Sequence, residues 1–495
     1  MIAVFLTFFC FTIQSQNNCN YLFDNNWILG GKDDTIDGDK YGGTILRFDP
    51  ELLITEYNKH VSQRVTSAEI SSREGNLLIY SNGCDIFNSQ NNIIENGENI
   101  NPGEVHDLFC VDNDGYPGLN SMFILPSAYD ASIFFLIHIA ETINHSPDPA
   151  FSIQAQYVYS TTIKIDKDLG IEKVISKNEI LLNDTSMLGS PICAVRHANG
   201  KDWWILTPDR WNNGYYIFQV DSIGPSFIRE QYIGDETNPR ATGAEGKFSP
   251  DGSHFAWYHP RNGVFLYAFD RGTGYLSEFN RIDIPKVDFI TGGCEFSSNS
   301  RYLYINTDTS LYQLDVQAND IQGSLMHIAD YDRFGAPLPT LFLYMALTPD
   351  NRIFMNTSNG TQYLHVIQNP NERGLESNFT QHAIKLPTIN FLTFPNFPNY
   401  RLSAINSSYC DSLNAIIDSP NTVSDVSIFP NPSSGIIYIS GPENPIQYEI
   451  YNLNGMKIQN GVCRTWEILI ENPGIYLLNV FLKNKWEIKK VMVMR

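Results

Sequence analysis

Glu245, Lys247 and Glu295 are the residues whose types and spacing come closest to a reaction centre. Two carboxylates flanking a scissile bond, one as proton donor and one as nucleophile or base, are what glycoside hydrolysis requires. Glu245 and Lys247 lie two apart, so in a strand they share a face. Lys247 and Glu295 each stand four residues ahead of a turn, at Asp251 and Asn299, which would set them on neighbouring strands. The plainer role for the trio is a structural ion pair that satisfies inner polar groups. Asp209, Arg210 and Trp211 form a second candidate set, beside Trp203, Trp204 and Tyr215. A loop tryptophan next to Arg and Asn suits a sugar ring or a protein hot spot. Trp203 and Trp204 point to opposite faces of one strand, so at least one belongs to the core. Asp33 and Asp37, in one Asp-rich stretch, and Asp112 and Asp114, in another, offer oxygen ligands to calcium. Neither stretch ends in the Glu that completes an EF-hand loop, and Asx turns account for both. No HExxH, GxSxG or GxxxxGK[ST] pattern occurs, and no cofactor is implied.

The elements that would position these residues repeat. Turns centred on Gly75, Gly200, Gly252, Ser300 and Asn351 are each followed by an apolar strand, and the last four are spaced by 52, 48 and 51 residues. The clearest copy runs from Gly246 to Tyr258 through Ser249-Pro250-Asp251-Gly252. The gap between Gly75 and Gly200 holds a further unit, with strands over 121–125, 133–139 and 158–165. A four-stranded unit at this period predicts a β-propeller, in which each sheet covers its neighbours. Three early strands, 27–29, 43–48 and 52–57, lack an innermost partner. A late strand near 391–394 or 400–404 is expected to complete that sheet and close the ring. The count is then seven blades, with six and eight left open. The fold class is all-β: a seven-bladed β-propeller over 16–410, a polar linker over 411–425, and a small Ig-like β-sandwich over 426–495.

That last stretch opens with Ser427-Ile428-Phe429-Pro430-Asn431-Pro432 and reaches Gly435. Short apolar strands follow, over 436–439, 448–451, 466–470, 475–481 and 486–494, with turns at Asn454-Gly455, Asn460-Gly461 and Pro473-Gly474. The Pro-Asn-Pro opening, IYNLNG ending at Asn454 and Gly455, PGIY with Gly474 and Tyr476, and the basic end at Lys489 and Lys490 resemble the type A sorting domain of the Bacteroidetes type IX secretion system. The resemblance implies an address that carries the protein across the outer membrane, with secretion machinery and a sortase as partners and cleavage in or near 411–425. The body resembles WD-repeat-like propellers that precede such domains, through SNGCDIFN (81–88), NPGEVHD (101–107), NGKDWWIL (199–206), FSPDGS (248–253) and FPNYRLS (397–403). That likeness marks a fold and brings no activity.

The chain carries a net charge of −21 over 495 residues, and its tail from Val426 is slightly basic. A body this acidic repels phosphate backbones, so nucleic acid is a poor partner. Residues 1–15 read as a secretory signal, too short to span a bilayer and lacking a basic residue ahead of the apolar run. No later segment is long and apolar enough to cross a membrane. Removal of Cys10 with the signal leaves seven cysteines with no CxxC pair, which argues against zinc. Cys84 with Cys110 and Cys19 with Cys410 are the expected disulfides. Together these features predict a secreted or cell-surface propeller that binds an extracellular protein or glycan. A glycan-cleaving enzyme using Glu245 and Glu295 is the main rival, and a structural surface or adhesion component the third.

Overall fold

The computed structural model describes residues 21–405 and 427–493, except 33–34, 37–38, 58, 60, 112–113, 145–152, 237–244, 286–291, 337, 393, 431–432, 441–445, 453–456, 464–466, 471 and 483–484. The chain divides into two compact units, 1–410 and 411–495.

In the first unit successive sheets are built from consecutive antiparallel strands. The first has Asn26–Leu29, Gly43–Phe48 and Leu52–Tyr57. The second has Ala68–Ser71, Leu77–Ser81 and Ile86–Asn88. The third has Met122–Pro126, Ile133–Ile143, Ile153–Asp166 and Ile171–Asn183. The fourth has Cys193–Arg196, Trp203–Pro208, Gly214–Val220 and Pro225–Tyr232. The fifth has Glu245–Phe248, His254–His259, Gly263–Asp270 and Tyr275–Ile282. The sixth has Cys294–Phe296, Tyr302–Asn306, Ser310–Asp315 and Met326–Asp330. The seventh has Phe342–Leu347, Ile353–Thr357, Thr361–Ile367 and Phe379–Asn390. One helix, Glu104–Phe109, leads into Cys110, which is bonded to Cys84.

Each sheet is apolar on both faces because each face meets a neighbour. In the fifth, Phe255 and Trp257 pack toward the fourth sheet, while Ala256 and Tyr258 pack toward the sixth. Trp203 faces the third sheet and Trp204 the fifth. Ile28 and Ile45 of the first sheet meet Leu77 and Tyr80 of the second. Trp27, Leu46 and Phe48 of that same first sheet meet Phe354, Leu364 and Val366 of the seventh. The last sheet therefore packs on the first. The layers form a closed ring in which each sheet packs on the next, which is the propeller arrangement. Burial of one such aromatic ring is worth roughly 2–3 kcal/mol.

The turn centres hold the inner hairpins in register. Gly75, Gly200, Gly252, Ser300 and Asn351 all adopt positive φ, between 61° and 87°. At Gly252 a side chain would also strike the Arg271 stem and Val195.

No late strand completes the first sheet among the described residues. The stretch 394–405 is irregular instead. Pro395 and Pro398 remove two ladder donors within four residues, so this stretch cannot pair as an inner strand. Its side chains make the closure. The Asn396 amide donates to Ile192 O at 2.8 Å, and Asn399 to Pro250 O at 2.7 Å. The Tyr400 hydroxyl donates to Ile124 O at 2.6 Å, and Arg401 pairs with Asp24. The expected Cys19–Cys410 bridge lies outside the described residues, as does the signal segment. Cys193, Cys294 and Cys463 are free and buried.

The second unit is a two-sheet sandwich. Ser427–Phe429, Ile436–Ser440 and Glu467–Leu469 form one sheet; Lys457–Cys463, Ile446–Asn452, Gly474–Leu482 and Lys485–Val493 form the other. Ile437, Ile439 and Ile468 interleave with Ile450, Leu478, Val480 and Val491. Asn460-Gly461 is not a turn but the middle of a strand, where Gly461 pairs with Tyr448. A Cβ there would sit 3.2 Å from the Tyr448 ring, so the glycine makes room for an aromatic rather than for a reversal. Gly435 and Gly474 both take positive φ. Asn431, Pro432, Asn454 and Gly455 lie outside the described residues.

Candidate functional site

A cavity of about 820 Å³ opens among the inner strands of the fourth to seventh sheets. The hairpin turns 249–251, 298–300 and 348–351 form its rim, and residues 395–404 form one wall.

Lys247 and Glu295 reach this cavity from neighbouring inner strands; Glu245 lies behind them, 1% exposed. The Lys247 ammonium stands 3.3 Å from Glu245 Oε1 and 3.3 Å from Glu295 Oε2. Glu245 Oε2 accepts the Cys294 N–H at 2.9 Å and the Met345 N–H at 3.4 Å. Glu295 accepts the N–H of Phe296 at 2.9 Å and that of Leu347 at 3.1 Å. Each glutamate thus ties its own sheet to the inner strand of the next. Burial pushes the Glu245 carboxyl up to about 7 against the pull of Lys247, and burial raises Glu295 as well. Burial alone would lower the Lys247 ammonium, but the two carboxylates outweigh it and hold the group well above its usual range. One ammonium bridges both carboxylates and occupies the space between them.

The loop candidates lie elsewhere. Strand Trp203–Pro208 carries the 197–202 turn at one end and Asp209–Asn213 at the other, so Trp211 is a full strand's length from the turns that rim the cavity. Trp211 is 47% exposed, whereas Asp209 and Arg210 are buried. Asp209 Oδ1 accepts the Trp211 N–H at 2.6 Å and the Asn212 N–H at 3.2 Å, closing an Asx turn. Burial lowers the Arg210 guanidinium, and the nearby Glu141 opposes this. Of the four residues proposed for binding, Lys247 alone lines the cavity. Asp33, Asp37 and Asp112 lie outside the described residues; Asp114 pairs with Lys32 at 3.1 Å. Among the described residues no cluster of three or more His, Cys, Asp or Glu could hold a metal ion.

Two polar centres escaped the sequence reading. Glu69 accepts the Ile28 N–H at 2.7 Å and the Ser67 hydroxyl at 2.8 Å. Ser67 accepts from Gln63, and Gln63 from the fully buried Lys59. Burial raises Glu69 to about 8 and lowers Lys59 to about 7. Arg271 spends its guanidinium on carbonyls of Arg196, His197, Asp251 and Ser403. An acid inside the short apolar strand Ala68–Ser71 was the available signal for the first. Nothing in the sequence spacing marks the second.

A family model described as "Secretion system C-terminal sorting domain" matches residues 427–494. No curated protein matches the chain. Among solved structures, the chain is similar to the periplasmic gluconolactonase of Pseudomonas aeruginosa, at 12% identity and TM-score 0.41, covering 75% of this chain and 99% of that one. It is also similar to a Lactobacillus plantarum protein, at 10% identity and TM-score 0.37, covering 90% and 98%. A third is PorZ, an essential bacterial surface component of the type IX secretion system of Porphyromonas gingivalis, at 11% identity and TM-score 0.31, covering 92% and 69%. Likenesses of this order say nothing about activity. The tail, by contrast, is matched almost end to end: residues 427–494 are a type IX secretion C-terminal sorting domain, which implies export of the propeller ahead of it to the cell surface or beyond.

Proposed function

We infer that this protein is type IX cargo whose propeller binds an extracellular protein or glycan without transforming it. The observation that carries this reading is the condition of the two carboxylates at the cavity. Glu245 and Glu295 each accept two backbone N–H groups and share one ammonium. A general acid or nucleophile needs an oxygen that faces its substrate. In this account the amino-terminal signal takes the chain to the periplasm, the tail takes it across the outer membrane, and a sortase acts in or near 411–425.

Export and binding are tested together. Full-length protein and a chain ending at Asp425 are expressed in a host with type IX secretion, and medium, surface and periplasm are assayed. The truncated chain should stay in the periplasm, folded. Equal appearance of both forms outside the cell would sink the export half. Release of reducing ends from a glycan by purified body, lost in Glu295→Gln, would replace the binder with a hydrolase.

A further inference from the structure

We propose that the central cavity is a binding site for a short neutral oligosaccharide. This deepens the binding reading above and rests on it.

Size comes first. About 820 Å³ lies within the ~300–1,000 Å³ usual for small-ligand sites. With residues 395–404 as one wall, the space excludes a folded protein surface.

Charge narrows the class. The polar floor is Lys247 held against Glu295, with Glu245 behind. An incoming cation meets the ammonium. The charged lining balances, Asp24, Asp251 and Glu295 against Lys247, Arg271 and Arg401, so an incoming anion finds no excess of positive charge, within a chain of net charge −21. A neutral ligand meets neither penalty.

The rim supplies what a neutral polyol needs. Asn299 Oδ1 accepts the Ser297 hydroxyl at 2.7 Å and the Arg301 N–H at 3.1 Å, but its side-chain nitrogen has no hydrogen-bond partner among the described residues. The Asn351 side-chain amide likewise makes no hydrogen bond among them. Both sit at hairpin tips whose backbone is fixed, Asn351 at φ 66° and the neighbour of Asn299, Ser300, at φ 61°. The Asn351 carboxamide donates and accepts side by side and the Asn299 amide donates, which together match hydroxyls on a sugar ring. Phe248, Leu347 and Phe397 add apolar walls for its C–H faces.

The test is calorimetric titration of the full-length protein with neutral trisaccharides: maltotriose, cellotriose, laminaritriose, mannotriose and chitotriose. Trigalacturonate and a Gly-Ser hexapeptide serve as charged and peptidic counterparts. At least one neutral trisaccharide should bind, and trigalacturonate at least about tenfold more weakly. The double variant Asn299→Asp, Asn351→Gly keeps the turn backbone and the oxygen that Ser297 and Arg301 engage, and should weaken binding by about tenfold, the loss expected for two hydrogen bonds, with its unfolding midpoint unchanged. No binding by any neutral trisaccharide, or full binding by the double variant, overturns the proposal. Capture of the peptide alone would overturn the sugar while leaving a non-catalytic binder. Cleavage of a bound trisaccharide would overturn the binder reading itself.

Discussion

Arg401 grips Asp24 with two guanidinium nitrogens, one of them 2.6 Å from Asp24 Oδ1, across 377 residues of chain. Asp24 sits just ahead of the first strand, and Arg401 sits in the irregular stretch that follows the last. Both side chains are mostly buried. Charge-assisted hydrogen bonds of this kind contribute roughly 1.5–3 kcal/mol. Asp24→Ala and Arg401→Ala should therefore each lower stability by about 2 kcal/mol, and the double variant by little more than either alone. Arg401→Lys should recover less than half, because an ammonium cannot make the paired contact. Urea unfolding of wild type and the four variants checks this; strictly additive losses would mean the pair does not act as one.

Lys247 is the single cation between two buried carboxylates, so its removal should be felt electrostatically. Lys247→Met leaves both acids without the charge that draws their protons off. Breaking such a set from one side costs about 3–5 kcal/mol. The sign with pH follows from the direction of the shifts. Glu245 already stands at about 7 through burial, and the variant raises it and Glu295 further. A raised carboxyl leaves stability intact at low pH and removes it as pH climbs toward the folded value. The variant's deficit should thus be large at pH 8 and shrink toward pH 5. A deficit independent of pH would show that lost packing, not charge, is what Lys247 supplies.

The repeat was legible because one backbone requirement recurs. Five inner hairpins turn on a residue at positive φ, and glycine, asparagine or serine at those turn centres marks five sheets in the sequence. The first sheet's three strands were legible too, but not their place: Asn26–Leu29 lies against Ala68–Ser71, with the Ile28 N–H on Glu69, so it is itself the inner strand and the sheet lacks an outer one. The course of residues 391–405 was not, since it is held by single side chains on scattered carbonyls, which leave no period. The same is true of Arg271. Spacing did bring Lys247 beside Glu295, but burial alone distinguishes a staple from an acid–base pair. At Asp209 and Arg210 the sequence shows polar residues in a loop and cannot show that they turn inward.

Glu69 offers a cleaner electrostatic measurement than Lys247. Its carboxyl stays protonated to about 8 through burial, against 4.5 for an ordinary glutamate. Between those values the folded chain holds a proton that the unfolded chain has released. Wild type should lose up to about 1.4 kcal/mol per pH unit on this account as pH rises. Glu69→Gln keeps an oxygen for the Ile28 N–H and cannot titrate. Compared at each pH by urea unfolding, the variant should gain on wild type between pH 5 and 7. That window avoids most of the titration of Lys59, whose folded value of about 7 would oppose the trend above it. Parallel curves for the two proteins would put Glu69 at an ordinary value.

Trp211 and Asn299 mark two different places at which a ligand could be met, and substitution separates them. Trp211 projects from the loop between Trp203–Pro208 and Gly214–Val220, away from the turns that rim the cavity. Asn299 is exposed at the rim itself. Trp211→Ala should leave stability within about 1 kcal/mol, as for exposed positions generally, and leave trisaccharide titration unchanged. Asn299→Trp sets an indole across the rim and should abolish the heat of binding, with only the small drop in unfolding midpoint expected when the Arg301 N–H and Ser297 hydroxyl lose their acceptor. The opposite pairing, with binding lost in Trp211→Ala and kept in Asn299→Trp, would move recognition to the loop. The exposed Trp211 would then be the contact, and the cavity a by-product of ring closure.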